Sequence, residues 1–176
     1  MLLVTGATGH SGVELTRELD AKDVKFRVLI RNPARATGLP ERAERVTGDL
    51  GQLATLGPAF DGADKLFLLV TGIGADHTAH AIAAAQAAGM RHIVYVSSYA
   101  VIGDPMPAMG RWHHEREQLV RASGIPATIL RPSGFMTNTL DWLTTIRAGA
   151  SSSTRPALAA PRRSTPPTSP RSPPSR

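Results

Sequence analysis

The sequence contains no cysteine, and only 5% of its 176 residues are aromatic. The absence of cysteine excludes disulfide bonds, zinc–thiolate sites and thiol nucleophiles. A core without many aromatic residues must be built from Val, Leu, Ile and Ala, which is typical of a parallel α/β protein. No run of about 18 apolar residues occurs, and Met1 is not followed by a basic segment with a cleavage site. The sequence therefore predicts one soluble, cytoplasmic domain that does not bind membranes.

Acidic residues are missing from the end of the chain, and this explains most of the net charge of +6. The segment 148–176 holds five of the 20 lysines and arginines and none of the 14 acidic residues. The 15 basic and 14 acidic side chains that remain nearly balance, so the charge belongs to the tail. Nucleic-acid binding is therefore not predicted for the folded part.

Strand and helix patterns alternate along the first 147 residues at the spacing of βα units. The predicted strands cover 2–5, 26–30, 44–47, 65–70, 92–97 and 127–131. The predicted helices cover 12–19, 75–88, 112–123 and 134–147. These units predict an α/β fold with a doubly wound parallel sheet of about six strands, which binds ligands at the carboxyl ends of its strands. We assign residues 1–147 to this domain.

A glycine-rich loop between the first strand and the first helix is the strongest chemical signal. Its residues are Gly6, Ala7, Thr8, Gly9, His10, Ser11 and Gly12. Gly6 permits a tight turn, Gly9 lets backbone amides approach a pyrophosphate, and Gly12 lets the helix pack closely. The helix N-terminus adds N–H donors for phosphate. No Gly-Lys-Ser/Thr follows, so the loop predicts a dinucleotide site and not a mononucleotide P-loop; an ordinary βα turn is the alternative.

Arg31 stands at the end of the second strand, where NAD-binding proteins usually carry an acidic residue for the ribose 2′-hydroxyl. Its guanidinium, with Arg35 one turn later, suits the 2′-phosphate of NADP. The sequence therefore predicts NADP as the cofactor, with NAD as the second candidate. A solvated surface arginine is the alternative. Asp49 and Leu50, which follow the third strand, are candidates to border the adenine.

Several motifs along residues 1–147 point to one known family. They are the glycine loop, Arg31-Asn32-Pro33, Gly48-Asp49-Leu50, Tyr95-Val96-Ser97-Ser98 and the segment 123–138. Together they resemble an atypical short-chain dehydrogenase/reductase, closest to the NmrA-like group, which includes NAD(P)H:quinone oxidoreductase-type enzymes and redox-sensing regulators. The resemblance implies a Rossmann-type domain. It also implies cofactor contacts near the nicotinamide from Thr71, Gly72, Ser97, Arg131 and Pro132.

In the wider family a serine after the fifth strand acts with a tyrosine and with a lysine four residues later. Ser98 matches the serine. Counting back from Glu117 on the predicted helix, Met109 falls at the tyrosine position and His113 at the lysine position, so the usual proton donor is absent. The resemblance implies hydride transfer to a small quinone-like acceptor, with Ser98, Tyr99 and His113 as candidate catalytic residues. A non-catalytic NAD(P)-sensing regulator that acts on a protein partner, or an inactive fragment, is the alternative.

Three other histidines lie on predicted helices. His77 and His80 lie three residues apart on the predicted helix 75–88, a spacing that suits a metal. No third ligand lies near them in the sequence, so we expect a solvated helix face and no metal. His114, next to His113 on a predicted helix, is a further candidate proton donor or ribose contact, and at most one of the two can face a cofactor.

From residue 148 onward the sequence becomes a Ser/Pro/Arg/Ala-rich stretch that holds seven of the 14 prolines. Such a composition predicts a disordered low-complexity tail over 148–176. GC-rich coding DNA read in the wrong frame gives this composition. We therefore interpret the chain as truncated or frameshifted, with its last native-like residue near Gly149. A genuine disordered tail that binds nucleic acid or an SH3-like partner is the alternative.

Overall fold

The computed structural model describes residues 1–135, except the side chain of Arg35, and residues 140, 143 and 147. The chain divides into two units, Met1–Ser133 and Gly134–Arg176, and the first holds every helix and strand named below. The predicted helix 134–147 falls largely outside the described residues, and the tail from residue 148 falls wholly outside them. Both, and the domain boundary between them, stay predictions.

Six parallel strands form one sheet. They are β1 (Leu2–Val4), β2 (Phe26–Ile30), β3 (Glu44–Thr47), β4 (Lys65–Leu68), β5 (His92–Val96) and β6 (Ala127–Leu130). Their order across the sheet is β3-β2-β1-β4-β5-β6, and every neighbouring pair is parallel. The chain changes direction across the sheet between β1 and β4, where a doubly wound sheet opens a crevice at its carboxyl edge. The predicted doubly wound fold is confirmed.

Along the chain, the helices described in the first unit alternate with the strands. They are α1 (His10–Ala21), α2 (Gly57–Phe60), α3 (Asp76–Ala87) and α4 (Ala108–Ala122), with short 3-10 helices at Pro33–Arg35, Leu53–Thr55 and Tyr99–Ile102. Helix α4 begins four residues before its predicted start, because Gly110 weakens the helical signal there. A Cβ atom on Gly110 would lie 2.3 Å from the Ala100 carbonyl oxygen, so this close contact needs glycine. In the part of the chain that the structure describes, no helix has the length and apolar character needed to span a membrane.

Two clusters of buried apolar side chains cover the two faces of the sheet. Leu3 and Leu29 belong to the cluster that packs against α2, α3 and α4. Val4 and Val28 belong to the second cluster, to which α1 contributes. Neighbouring residues in a strand point to opposite faces, so the apolar residues of β1 and residues 28–30 of β2 are buried on both sides. This packing fixes the carboxyl ends of the strands, which carry the candidate site.

Candidate functional site

A cleft of about 420 Å³ lies at the carboxyl edge of the sheet, where the strand order reverses. The predicted site residues that line it are Gly6, Thr8, Gly9, Arg31, Asp49, Leu50 and Thr71. The lining residues that the sequence analysis did not select are Thr5, Leu29, Ile30, Asn32, Leu69 and His77. The structure thus gathers the glycine loop and the ends of β2, β3 and β4 around one space. The predicted contacts that do not line this cleft are Ala7, His10, Ser11, Gly12, Gly72, Ser97, Ser98, Tyr99, His113, Arg131 and Pro132.

The glycine loop is held in a tight turn beneath the first turn of α1. Gly6 has a φ of +67°, and a Cβ atom there would lie 2.7 Å from Leu69 Cδ2. The Gly9 N–H donates to the Gly6 carbonyl over 3.1 Å. A Cβ atom on Gly12 would lie only 2.2 Å from the same carbonyl oxygen, whereas the nearest atom to a Cβ on Gly9 is 3.5 Å away. Gly12 therefore serves packing, and the space beside Gly9 remains open to a ligand.

Substitutions of Gly12 and Gly9 are expected to change the free energy of unfolding by different amounts. Gly12→Ala should lower the free energy of unfolding by about 2 kcal/mol, because the added methyl group overlaps the loop backbone. Gly9→Ala should change it by less than about 0.5 kcal/mol, because its φ of −83° suits alanine and its Cβ meets no close neighbour. Urea denaturation measures both values. An equal loss in the two variants would contradict the packing role of Gly12.

Thr5 ties the two strands at the reversal point together. Its buried hydroxyl accepts a hydrogen bond from the Leu69 N–H (2.9 Å) and lies 3.0 Å from the Leu69 carbonyl, to which it donates. The bond joins the end of β1 to the chain that follows β4 and so fixes the floor of the cleft. Nothing in the local sequence reveals it, because the two residues are 64 positions apart.

Arg31 lines the cleft at the end of β2, and its side chain is exposed. Among the ion pairs of the described residues, none involves Arg31. The Asn32 side chain next to it accepts from the Ala34 N–H over 3.0 Å and caps the short helix Pro33–Arg35. The capped turn holds Arg31 at the rim, where its charge can meet an anion. The predicted role of the Arg35 side chain lies outside the described residues.

The loop after β3 forms the opposite wall and is fastened to α3. Asp49 accepts from the Gly51 N–H at Oδ1 (2.9 Å), and its own N–H donates to Thr55 Oγ1 (2.9 Å). His80 Nδ1 lies 2.8 Å from the Leu50 carbonyl oxygen. The expected solvated face is wrong for His80, which contacts this loop, while His77 is half-buried and lines the cleft. The described residues contain no group of three or more side chains that could hold a metal ion.

A buried carboxylate organises the ends of β5 and β6. Glu117 on α4 is 1% exposed and accepts from Ser97 Oγ (2.6 Å), from Arg131 Nε (2.8 Å) and from Arg121 (3.1 Å). Burial alone would raise the pKa of Glu117, but the hydrogen bonds from Arg131, Ser97 and Arg121 outweigh it and lower the pKa to about 2. Glu117 already engages the side chains of Ser97 and Arg131. Their predicted contacts with a cofactor therefore stay predictions.

His113 faces the sheet and forms a pair with Tyr95, for which the sequence predicts no role in the site. Tyr95 is fully buried, and its hydroxyl lies 3.1 Å from His113 Nδ1. Burial and the positive charge of Arg116 lower the pKa of His113, which keeps the imidazole neutral at pH 7. His114 is exposed and lies 3.2 Å from the Gln118 side chain, so only one of the neighbouring histidines faces inward, as expected.

The remaining nicotinamide-side candidates lie along the extension of β5. The Ser98 hydroxyl accepts from the Ala100 N–H (3.2 Å) and caps the 3-10 helix Tyr99–Ile102. Tyr99 is 50% exposed, and its N–H donates to the Pro132 carbonyl over 2.9 Å. These bonds place Ser98 and Tyr99 next to the end of β6. Their catalytic roles stay predictions.

Buried Arg116 fixes the loop after β4. Its Nη2 donates to the Gly72 carbonyl (2.6 Å) and its Nε to the Gly74 carbonyl (2.7 Å). Both glycines have positive φ values, so the loop follows a path that other residues rarely adopt. Arg116 gives no signal in the sequence, since a charged residue on a helix usually indicates a solvated position.

A family model described as NAD(P)H-binding matches residues 6–164. The chain belongs to this NAD(P)H-binding family. Its membership confirms the predicted dinucleotide binding, in the coarse form of NAD(P)H binding. The choice between NADP and NAD is not decided by the family.

Reductases are among the relatives of this NAD(P)H-binding chain. It is 43% identical over 150 residues to a (4-alkanoyl-5-oxo-2,5-dihydrofuran-3-yl)methyl phosphate reductase of Streptomyces griseus, over 84% of this chain and 52% of that protein. It is 36% identical to an NAD(P)H azoreductase of Xenophilus azovorans, with the same two coverages. The NADPH complex of an NADPH-dependent quinone oxidoreductase from Escherichia coli superposes with a TM-score of 0.76 and 31% identity, over 85% of this chain and 55% of that one. The resemblance to quinone oxidoreductase-type proteins is confirmed.

The chain spans about half the length of the curated relatives it matches, with 52% of each of the two reductases covered. The similarity therefore extends over the domain that carries the cleft. The similarity does not extend to a full-length protein, whose activity, substrate and partners are therefore proposed.

Proposed function

We propose that the chain is the NADP(H)-binding domain of a reductase that transfers hydride from NADPH to a small quinone-like acceptor. The observation that carries the proposal is the cleft at the β1–β4 reversal, with the glycine loop on one side and Arg31 on the other. The names of the relatives support it, because an azoreductase and a quinone oxidoreductase reduce conjugated acceptors with nicotinamide cofactors.

The chemistry of the cleft walls supports the cleft as the site of the cofactor. The amides around Gly6 and Gly9 and the N-terminus of α1 would hold the pyrophosphate, since helix N-termini carry partial positive charge. Arg31 would bind the 2′-phosphate, which NAD lacks. Asp49 and Leu50 would border the adenine. This assignment favours NADP over NAD.

The chain's own residues would support the reacting end beyond β5. NADPH, when bound, supplies the hydride. Because Tyr95 contacts Nδ1 of neutral His113, the second ring nitrogen, Nε2, remains for a ligand. Reduction of a quinone also takes a proton, which solvent would provide, while Nε2–H of neutral His113 would donate a hydrogen bond to the acceptor oxygen on which negative charge develops. Arg116 would hold the loop containing Gly72 in place against the ring.

A redox sensor that binds the dinucleotide without turnover is the second candidate. Met109 occupies the position of the family's proton-donating tyrosine, and its side chain is 51% exposed. A sensor needs the cleft but not a proton donor. It would pass the state of the cofactor to a protein partner.

Oxidation of NADPH with a panel of quinones is expected to distinguish the two candidates. A reductase consumes NADPH, seen as loss of absorbance, and His113→Ala should lower kcat at least about tenfold, since a positioned hydrogen-bond donor to a developing oxyanion typically contributes more than this. His92→Gln, at the start of β5 and bonded to Thr128, is the matched control and should retain full activity. Tight NADPH binding without oxidation of any quinone would favour the sensor and contradict the reductase.

A further inference from the structure

The hydroxyl of Tyr95 is a buried hydrogen-bond donor next to His113. Tyr95 lies in β5 and is fully buried, and its hydroxyl oxygen lies 3.1 Å from Nδ1 of His113 on α4. The two rings are tilted by 42° with their centres 6.4 Å apart, so they meet through these two atoms and are not stacked. Among the hydrogen bonds of the described residues, this is the one that the Tyr95 hydroxyl makes.

Two arrangements of protons are compatible with this contact. In the first, the Tyr95 hydroxyl donates to Nδ1 of His113, and the neutral imidazole carries its proton on Nε2. In the second, Nδ1–H of His113 donates to the hydroxyl oxygen, and the hydroxyl hydrogen needs another acceptor. The described residues offer no such acceptor, so the second arrangement leaves a buried donor without a partner. The first is therefore favoured, by about tenfold or more in the ratio of the two forms.

Arg116 favours the same arrangement. It follows His113 by three residues and shares its face of α4. Its buried guanidinium donates to the carbonyls of Gly72 and Gly74, and its positive charge also acts on Tyr95 and His113, since it lowers the pKa of both. A guanidinium has donors and no acceptor, so it cannot take the hydroxyl hydrogen. Its charge also disfavours a second positive charge on the imidazole.

The phenol keeps its proton and the imidazole stays uncharged at neutral pH. Burial raises the pKa of Tyr95, and the charge of Arg116 offsets this rise only in part. Burial and the charge of Arg116 lower the pKa of His113, against a smaller opposing effect of Glu117. A neutral hydroxyl donor therefore faces a neutral imidazole.

We infer that Tyr95 is a positioning residue, which donates its hydroxyl hydrogen to Nδ1 and so holds the proton of neutral His113 on Nε2. The inference rests on the proposed function, in which this Nε2–H donates to the acceptor oxygen. Without the hydroxyl, Nδ1 has no partner, and part of the population carries the proton on Nδ1 and a lone pair on Nε2. A lone pair there repels the oxygen on which negative charge develops.

Nitrogen-15 NMR of the chain measures the proton form of His113 without turnover. Long-range 1H–15N spectra distinguish a ring nitrogen that carries a proton from one that does not, and His113→Ala identifies the His113 signals by their loss. The spectra are recorded at pH 8, well above the ordinary imidazole pKa of about 6.5. The wild type should carry the proton on Nε2 and show an unprotonated Nδ1.

Variants of the two tyrosines assign this proton form to the Tyr95 hydroxyl. In Tyr95→Phe the ratio of the Nε2–H form to the Nδ1–H form should fall about fivefold or more, the effect of one lost hydrogen bond. Tyr99→Phe removes the hydroxyl of the second tyrosine in the chain and should leave this ratio as in the wild type. Melting temperatures check that both variants are folded.

Kinetics with NADPH and a quinone test whether Tyr95 acts through His113. Tyr95→Phe should lower kcat about threefold and leave the KM for NADPH unchanged, because it changes the reacting end and not the cleft. In a His113→Ala background, Tyr95→Phe should lower kcat no further, since the imidazole through which it acts is gone. A role in packing alone would lower kcat equally in both backgrounds.

Each outcome bears on the inference. A wild-type proton on Nε2, a lower ratio in Tyr95→Phe and no further loss of kcat in the His113→Ala background support it. A wild-type proton on Nδ1, a ratio that Tyr95→Phe leaves unchanged, or equal losses of kcat in both backgrounds overturns the inference while the proposed function stands. A chain that binds NADPH and reduces no quinone overturns the reductase, and the NMR ratio then decides whether Tyr95 fixes the proton of His113.

Discussion

Replacing Arg31 with glutamate is expected to weaken NADPH binding about 100-fold and NADH binding less than about threefold, because a charge-assisted phosphate contact becomes a repulsion. Arg31 lines the cleft and forms no ion pair with a described carboxylate, so its charge is available to a ligand. NADH carries a hydroxyl where NADPH carries the 2′-phosphate, so the affinity for NADH should change little. Titration of the wild type and the variant with each cofactor measures the change in the dissociation constants for NADPH and for NADH.

Two companion variants separate the Arg31 contact from a general effect of charge. Lys25→Glu makes the same change in net charge just before β2, at the amino edge of the sheet and away from the cleft, and should leave both affinities unchanged. The affinity of Arg31→Ala for NADPH should lie between those of the wild type and the glutamate variant. Equal losses for NADPH and NADH in Arg31→Glu would refute the assigned role of Arg31.

Replacing Glu117 with glutamine is expected to lower the free energy of unfolding by about 1 to 2 kcal/mol, because the carboxylate is buried but its partner Arg131 is partly exposed and can be solvated. The substitution keeps the shape of the side chain but leaves Arg131 without its counter-charge. Glu115→Gln, which changes an exposed residue on the same helix, is the control and should lower the free energy of unfolding very little. Urea denaturation at pH 7 measures both.

The pH dependence of stability gives an independent test of Glu117. Its pKa in the folded chain is about 2, below the usual value of 4.5, so its contribution is fully present above pH 4.5. That contribution is lost as the pH falls from 4.5 towards 2, because the unfolded chain takes up the proton first. The wild type should therefore lose more stability than Glu117→Gln over this range. Parallel losses in the two proteins would contradict the buried ion pair.

The sheet could be predicted because its determinants are local. Continuous apolar runs, such as residues 66–70, indicate strands buried on both faces, and the glycine loop after β1 marks the reversal point. Arg31 and Asp49 reached the cleft because parallel strands bring their carboxyl ends to one edge. The start of α4 was missed since Gly110 lowers helix propensity while serving a close contact with Ala100.

The side-chain contacts that shape the site could not be predicted, because they join distant parts of the chain. The hydroxyl of Thr5 bonds to Leu69, and Arg116 bonds to carbonyls more than 40 residues away. His77 showed only a spacing of three from His80, which is equally typical of a solvated helix face. Its place in the cleft depends on how α3 meets the loop after β3.

A crystal structure of the chain with NADP⁺ tests the central claim most directly. The account predicts one dinucleotide at the β1–β4 reversal, with its pyrophosphate against Gly6 and Gly9 and its 2′-phosphate within hydrogen-bond distance of Arg31. A dinucleotide bound elsewhere, or one in this cleft whose 2′-phosphate points away from Arg31 into solvent, would contradict it.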